Sequence, residues 1–261
     1  MPFFDLLFSN PKSPKSLKNP NNLLFMLSII IPTLNEEKYL PELLRLIKSQ
    51  MFLDYEIIVS DGCSADKTVE VAIAHDCRVV RGSKEKRHPS VQRNSGAKVA
   101  KGDVFLFLDA DTGFIGTDFL KKIIDDFNER KLGAAGFYMD FDSDKFFYKF
   151  YYCFYNFFAF LAQYIRPVGL GAGIVVKKDV HEKIGGFRED LFIGEDQYYC
   201  DQAAKISKFR LIKNTKIFFS IRRFEREGHW RLFFKILYGT FYVLFVGPIK
   251  KKIISYDFGK H

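Results

Sequence analysis

The feature that most constrains the fold is a regular alternation of apolar runs with segments of helical periodicity. The first run, "LSIIIP", starts at Leu27 and is ended by Pro32, as is typical of a strand buried on both faces. The apolar residues that follow recur at helical spacing and predict one stripe on a helix: Leu40, Leu43, Leu44 and Ile47. The predicted domain therefore opens with a strand–helix unit.

The same alternation continues through three more strands. "YEIIVSD", "CRVV" and "DVFLFLDAD" predict strands, and "KTVEVAIAH" and "SVQRNSGAKVA" predict the helices between them. A stripe of Leu120, Ile123, Ile124 and Phe127 predicts the helix after the last of these strands. Repeated strand–helix units predict a mostly parallel, doubly wound α/β sheet. With 261 residues, 48% of them hydrophobic, the chain can bury one such core and carry an appendage.

Two aspartates follow the fourth apolar run one residue apart. In sheets of this class ligands bind beyond the carboxyl ends of the strands, where Thr33 to Glu36 and Asp61 also fall. Residues i and i+2 of an extended segment point the same way, so Asp109 and Asp111 can converge on one point. A divalent cation such as Mg²⁺ or Mn²⁺ would offset their repulsion. The alternative is that one aspartate caps a turn or helix while the other is solvated.

Two other chemistries use aspartates at this spacing. A calcium loop requires a third acid where the chain has Gly113. A haloacid-dehalogenase phosphatase resembles this stretch, but that family places Thr or Val at the position of Gly113 and normally starts on its first strand. Both interpretations are therefore disfavoured.

Four segments in order resemble a family 2 glycosyltransferase with the GT-A fold. They are "SIIIPTLNEEKYLPELLRLIKSQ", "YEIIVSDGCSADKTVEVA", "QRNSGAKVAKGDVFLFLDADT" and "EKIGGFREDLFIGEDQYYCDQA", and the match runs from about Leu27 to Lys205. The resemblance implies a Rossmann-like, mostly parallel sheet flanked by helices, with an aromatic-rich C-terminal helical appendage. "EREGHWRLF" is not the Q-x-x-R-W motif of the family's processive synthases, which implies a single-transfer enzyme.

The resemblance also implies site residues. For nucleotide-sugar binding these are Pro32, Thr33, Asn35, Glu36, Asp61, Arg93, Asn94 and Asp109. A Mg²⁺ or Mn²⁺ ion would bind Asp109 and Asp111, and Asp196 would be the catalytic base with Glu195 beside it. In "SIRRFEREGHW", Arg222, Arg223 and Arg226 are candidates for the diphosphate and His229 for the metal.

Each of these residues has a structural alternative. Asn35 could cap the following helix, and Glu36 suits a first helical turn. Asp61 could belong to an ordinary turn, Glu195 and Asp196 to a helix cap, and His229 to the core.

The implied reaction is inverting and metal-dependent. One sugar would move from a nucleotide-diphosphate sugar, with UDP favoured, to a glycan or to a polyprenyl- or otherwise lipid-linked acceptor. The alternatives are a catalytically silent protein of the same fold that binds a sugar nucleotide or a membrane, and, ranked lower, a phosphatase. No nucleic-acid partner is implied.

Charge and aromatic content suggest contact with a membrane surface. The net charge of +9 suits an anionic partner, although solubility alone would explain it. "FFYKFYYCFYNFFAFLAQYI" and "LFFKILYGTFYVLFVGPIKKKI" are aromatic and apolar, but neither is a clean membrane span. Interfacial helices combine aromatic and basic faces, and Lys250, Lys251 and Lys252 would meet anionic headgroups. The other interpretation is a lid or dimer contact of a soluble enzyme.

The predicted organisation has three parts. They are a flexible tail over 1–25, a glycosyltransferase domain over 26–230 with halves of about 26–112 and 113–230, and an apolar, basic helical segment over 231–261. Four scattered cysteines without a CxxC pair predict reduced thiols, and the N-terminus does not resemble a signal peptide. We therefore expect a cytoplasmic protein at the cytoplasmic face of the membrane.

Overall fold

The computed structural model describes residues 26–85, 87–141, 143, 145–167, 169, 171–245 and 247. The predicted tail over 1–25 and the basic run from Lys250 to Lys252 lie outside the described residues.

Seven strands form one sheet. They are β1 (Leu27–Thr33), β2 (Tyr55–Asp61), β3 (Arg78–Arg81), β4 (Val104–Leu108), β5 (Ala134–Phe141), β6 (Gly173–Lys177) and β7 (Phe209–Phe219). Their order across the sheet is β3-β2-β1-β4-β6-β5-β7. The strand β6 is antiparallel to β4 and β5, and the other neighbouring pairs are parallel. The predicted, mostly parallel sheet is confirmed.

Helices flank the sheet. They are α1 (Leu40–Lys48), α2 (Thr68–Ala74), α3 (Pro89–Val99), α4 (Phe119–Glu129), α5 (Phe146–Ala162), α6 (Lys178–Ile184), α7 (Glu195–Ile206), α8 (Arg222–Glu227) and α9 (His229–Phe245). All four cysteines are free thiols.

Alternating residues of the central strands build a core on each face of the sheet. On β1, Ile29 and Ile31 pack into the cluster that includes Leu40 and Leu44 of α1, whereas Ile30 packs on the other side with Ala97 of α3. Because successive side chains of a strand point to opposite faces, an unbroken apolar run fills both cores. Each such buried aliphatic side chain stabilises the fold by roughly 1.5–3 kcal/mol.

A third apolar cluster lies at the carboxyl end of β5 and joins it to α5, α8 and α9. We call it the aromatic cluster; its buried members are Met139, Phe141, Tyr148, Tyr151, Phe224, Leu232 and Phe233. The rings of Phe141 and Phe224 meet edge to face, with centroids 5.5 Å apart, a favourable aromatic geometry. These contacts place α8 above the sheet edge where β1 and β4 end. None of the helices in the described ranges has the length and apolar character needed to cross a membrane.

One close contact fixes α3 on the sheet. A Cβ atom at Gly96 would lie 2.5 Å from Cγ2 of Ile30 on β1. The helix can therefore approach this closely only because position 96 has no side chain.

We expect Gly96→Ala to destabilise the protein. Overpacking against a stiff isoleucine costs about 1–3 kcal/mol, which outweighs the gain of about 0.5–1 kcal/mol for replacing a helical glycine. Urea denaturation would measure the change, with exposed Lys98→Ala on the same helix as control. A Gly96→Ala variant more stable than wild type would contradict the proposed contact.

Candidate active site

The loops that follow β1 and β2 are held together by Asn35. Its backbone has a φ of 58°, its N–H donates to Oγ of Ser64 at 2.8 Å, and its Oδ1 accepts from N–H of Ala65 at 2.9 Å. The N-cap of α1 is instead Tyr39. Asn35 thus connects two loops and is not a helix cap.

Asp61 is buried at the end of β2 and is occupied by its own turn. Its carboxylate accepts from Oγ and N–H of Ser64, at 2.5 and 3.0 Å, and from Oγ1 of Thr33 at 3.3 Å. This geometry agrees with the alternative in which Asp61 belongs to an ordinary turn. Its role in nucleotide-sugar binding stays a prediction.

Arg93 of α3 is a buried cation between two carboxylates. Only 3% of its side chain is exposed, and it donates to Oδ1 of Asp109 at 2.9 Å and to Oε1 of Glu195 at 3.1 Å. Burial alone would lower its pKa, but the charges of Asp109 and Glu195 reverse this and raise it. The backbone at Gly171 leaves room for the guanidinium, since a Cβ there would lie 2.4 Å from Nη2.

A second arginine joins the other carboxylates. Arg222 donates to both carboxylate oxygens of Glu36 at 3.2 Å and forms an ion pair with Oδ2 of Asp111 at 3.0 Å. Burial raises the pKa of Glu36 to about 7 although Arg222 opposes it, and burial also raises the pKa of Asp111. Sequence reasoning missed this arrangement because 186 residues separate Arg222 from Glu36. The only available signal was the run of arginines.

Asp196 lies in the first turn of α7, after Gly194 with a φ of 87°. Its two oxygens accept from the N–H groups of Gly171 and Gln197, both at 2.7 Å. Burial raises its pKa to about 7 and the charge of Glu195 adds to this, while Arg93 and the two N–H groups oppose it. A carboxylate with such a pKa is suited to accept a proton near neutral pH.

These groups line one cavity of about 450 Å³. The predicted residues in its lining are Pro32, Thr33, Glu36, Arg93, Asp109, Asp111, Glu195, Asp196, Arg222, Arg223 and Arg226. The sheet edge therefore gathers most of the candidates around a single space.

The other predicted residues lie outside this lining, in supporting positions. The amide of Asn94 donates to the carbonyl of Phe187 and accepts from its N–H, both at 2.8 Å. Nε2 of His229 lies 2.9 Å from the hydroxyl of Tyr148, in the aromatic cluster. A metal role for His229 stays a prediction.

The two aspartates fit a Mg²⁺ or Mn²⁺ ion in donor chemistry. The side chains of Asp109 and Asp111 are 35% and 23% exposed and both face the cavity. Within the described part of the chain, no group of three or more His, Cys, Asp or Glu side chains could hold a metal. Such ions commonly take one or two carboxylates and complete their shell with water and substrate phosphates. These residues would therefore hold a metal together with an anionic ligand.

We expect the stability of the wild type relative to Asp196→Asn to fall as pH rises. In the unfolded chain this carboxyl loses its proton near pH 4, whereas in the fold it keeps the proton to about pH 7. Between these values the unfolded state binds fewer protons, so folding loses stability with pH. The loss between pH 5 and 8 should be roughly 2–3 kcal/mol.

Urea denaturation of both proteins at the two pH values would measure this difference. Asp103→Asn, at an exposed carboxyl, is the control. A difference between wild type and Asp196→Asn that does not change with pH would contradict the buried-carboxyl assignment.

Comparison with known proteins identifies the family. A family model described as "Glycosyl transferase family 2" matches residues 28–187. A curated relative from Methanococcus voltae, named dolichyl N-acetyl-alpha-D-glucosaminyl phosphate 3-beta-D-2,3-diacetamido-2,3-dideoxy-beta-D-glucuronosyltransferase, is 37% identical over 122 residues, which are 42% of this chain and 38% of the relative. Across eight curated relatives, the matching stretch spans 17% to 40% of the relative's own length.

Solved structures show the same fold. The mannosyltransferase PcManGT from Pyrobaculum calidifontis, in complex with GDP-Man and Mn²⁺, has a TM-score of 0.66 at 20% identity, covering 84% of this chain and 66% of its own. Residues 1–349 of TarS from Staphylococcus aureus, in complex with UDP, have a TM-score of 0.59 at 20% identity, covering 74% of this chain and 60% of their own. The GT-A expectation is confirmed.

Proposed function

The chain belongs to glycosyl transferase family 2, and from this premise we propose that it transfers one sugar from a nucleotide-diphosphate sugar to a hydroxyl acceptor, with inversion. UDP is the favoured nucleotide, and the acceptor is a glycan or is linked to a lipid. The observation that carries the proposal is the cavity itself. It brings the pair Asp109 and Asp111 into one space with Asp196, a buried carboxyl whose pKa is raised to about 7.

The donor half of the site is the charged group around the two aspartates. Asp109 and Asp111 would hold Mg²⁺ or Mn²⁺, whose charge stabilises the departing nucleoside diphosphate when it is bound. Arg222 and Arg226 line the same cavity and would orient the diphosphate. The Mn²⁺ in the PcManGT complex and the UDP in the TarS complex support this class of donor.

The acceptor half is built around Asp196. As the acceptor oxygen bonds to the anomeric carbon, its proton passes to the Asp196 carboxylate. The bond from the anomeric carbon to the phosphate oxygen breaks, and its electron pair leaves on the nucleoside diphosphate. Attack opposite the leaving group inverts the anomeric centre. Glu195 stays ion-paired to Arg93 and would position the helix that carries Asp196.

The second candidate is a silent binding protein of the same fold. The intact Asp109, Asp111 and Asp196 weigh against it. Release of nucleotide from a panel of UDP- and GDP-sugars with Mn²⁺ separates the two candidates. A catalyst releases one nucleotide as water takes the place of the acceptor hydroxyl and receives the sugar, whereas a silent protein binds without release.

We expect Asp196→Asn to lose at least about 100-fold in the rate of that release and to keep nucleotide binding, because the amide cannot accept the proton. Asp103→Asn is again the matched control. An Asp196→Asn variant that releases nucleotide at the wild-type rate would exclude Asp196 as the base.

We also propose that the protein makes peripheral contact with the membrane at its cytoplasmic face. Large apolar side chains are exposed along α5 and just beyond it, with Phe146 at 83%, Phe157 at 65% and Ile165 at 91%. Lys145 and Lys149 are exposed at the same end of α5 as Phe146. Aromatic side chains next to lysines suit an interface with anionic lipid.

We expect the double variant Phe146→Ser, Phe157→Ser to bind vesicles containing phosphatidylglycerol with an affinity lower by roughly tenfold or more. Each substitution removes apolar area worth about 1–2 kcal/mol at an interface. Vesicle co-sedimentation measures this, with Leu53→Ser, Ile73→Ser as a control that removes equally exposed residues elsewhere. Equal binding by both double variants would exclude this face.

A further inference from the structure

The cavity has a second, apolar end. Part of its lining comes from the aromatic cluster, through Phe141, Tyr151 and Phe224, and continues along one face of α9 through Ile236 and Gly239. The rings of Tyr151 and Phe224 lie 5.3 Å apart. Sugars and diphosphates are strongly hydrated, so this surface would stabilise an apolar ligand group and not those parts of the donor.

Tyr155 of α5 connects this end to the proposed base. It packs against the aromatic cluster and also against the core that contains Tyr199 and Cys200 of α7, the helix that begins beside Asp196. Burial raises the pKa of Tyr155 well above its usual value, and the neighbouring Tyr151 and Asp196 add to the rise. The apolar end therefore starts next to the group that would receive the acceptor's proton.

Basic side chains of α8 and α9 also line the cavity. Lys235 of α9 donates to Oε2 of Glu227 at 2.9 Å, and Arg223 donates to Oε1 at 3.0 Å. Arg226 lies 3.7 Å from the same carboxylate. All three basic residues line the cavity, so among the described residues three basic side chains approach the carboxylate of Glu227. Burial opposes the charge of Glu227, but the hydrogen bonds from Lys235 and Arg223 outweigh it and lower its pKa. Such a group suits an anionic phosphate.

The apolar end also adjoins the exposed face proposed to meet the membrane. Phe233 of α9 contacts the ring of Tyr151 at 5.6 Å and that of Phe154 at 6.5 Å. Tyr151 lines the cavity, whereas Phe154 is exposed on α5. The ring of Phe233 therefore contacts both a ring that lines the cavity and a ring exposed on that face.

We propose that the acceptor is an amphiphile with three parts that match these features. Its reacting hydroxyl lies at Asp196, a phosphate or diphosphate lies beside Arg223 and Lys235, and an apolar chain runs past Tyr151 to Ile236 and Gly239. This inference rests on the proposed function and narrows its acceptor to a lipid phosphate carrying a sugar. The transfer uses the donor alone and needs no further reactant.

Gly239 offers the sharpest test. Because Gly239 lines the apolar end, we expect a leucine there to fill part of it, whereas an alanine changes helix propensity in the same direction and adds only one methyl group. The two variants are thus a matched pair. Donor-dependent nucleotide release without acceptor reports separately on the proposed function.

The first experiment measures binding of the acceptor and does not depend on the chemistry of the donor. The chain has one tryptophan, Trp230, whose ring lies 5.0 Å from that of Phe147 and 6.1 Å from that of Phe233. Its fluorescence would be titrated with a detergent-dispersed polyprenyl phosphate and, separately, with inorganic phosphate. We expect saturable binding of the polyprenyl phosphate, weakened at least tenfold in Gly239→Leu and within twofold of wild type in Gly239→Ala.

The transfer arm uses a polyprenyl diphosphate-linked N-acetylglucosamine, the bare polyprenyl phosphate, and N-acetylglucosamine 1-phosphate, which lacks the chain. We expect transfer to the lipid-linked sugar, with the KM for this acceptor raised at least tenfold in Gly239→Leu and within twofold of wild type in Gly239→Ala. Transfer to bare polyprenyl phosphate that survives Asp196→Asn would overturn the hydroxyl assignment.

Equal use of the chain-less acceptor, or wild-type binding and KM in Gly239→Leu, would overturn the proposed chain site. The proposed chain site would also be overturned if neither the polyprenyl phosphate nor the lipid-linked sugar binds or accepts sugar. If no sugar nucleotide is turned over but the amphiphile binds with the expected pattern, the proposed function fails and the chain site stands.

Discussion

The buried guanidinium of Arg93 is the interaction on which the site depends. It joins α3 to the end of the neighbouring strand β4 through Asp109 and to the start of α7, 102 residues further along the chain, through Glu195. Removing one partner of a buried ion pair leaves an uncompensated charge, which is strongly destabilising. The two ion pairs of Arg93 therefore hold a proposed metal ligand and the helix of the proposed base at a fixed separation. The absence of a side chain at Gly171 makes room for the guanidinium.

Charge balance explains how so many carboxylates share one cavity. Arg93 and Arg222 between them contact Asp109, Glu195, Glu36 and Asp111. Glu36 and Asp196 each have a pKa raised to about 7 and so keep part of their protons near neutral pH. This reduces the remaining repulsion between the carboxylates. A cation that binds Asp111 would share that carboxylate with Arg222. A diphosphate arriving with the cation would give Arg222 a new anionic partner, so the arginine and the metal need not compete.

Sequence patterns predicted the parts of the fold that are set locally. The unbroken apolar runs of β1, β2 and β4 predicted the sheet and its functional edge, because a strand buried on both faces needs apolar residues at successive positions. The apolar stripes of α1 and α4 predicted the helices that pack on it. The pairing of β5 with β6 and β7 left no such mark. Neither did the contacts of Arg222, since an ion pair formed across 186 residues depends on where the aromatic cluster places α8. The family resemblance supplied the candidates that periodicity could not, and the structure added their partners.

The most direct test of the account is a calorimetric titration of UDP and GDP, each with and without Mn²⁺, into wild type, Asp111→Asn and the control Asp118→Asn at another partly exposed aspartate. The account predicts that one nucleotide binds the wild type and the control only when Mn²⁺ is present, and that Asp111→Asn loses this binding. Binding of equal strength with and without Mn²⁺, or undiminished in Asp111→Asn, would contradict the claim that the paired aspartates hold a cation on a diphosphate.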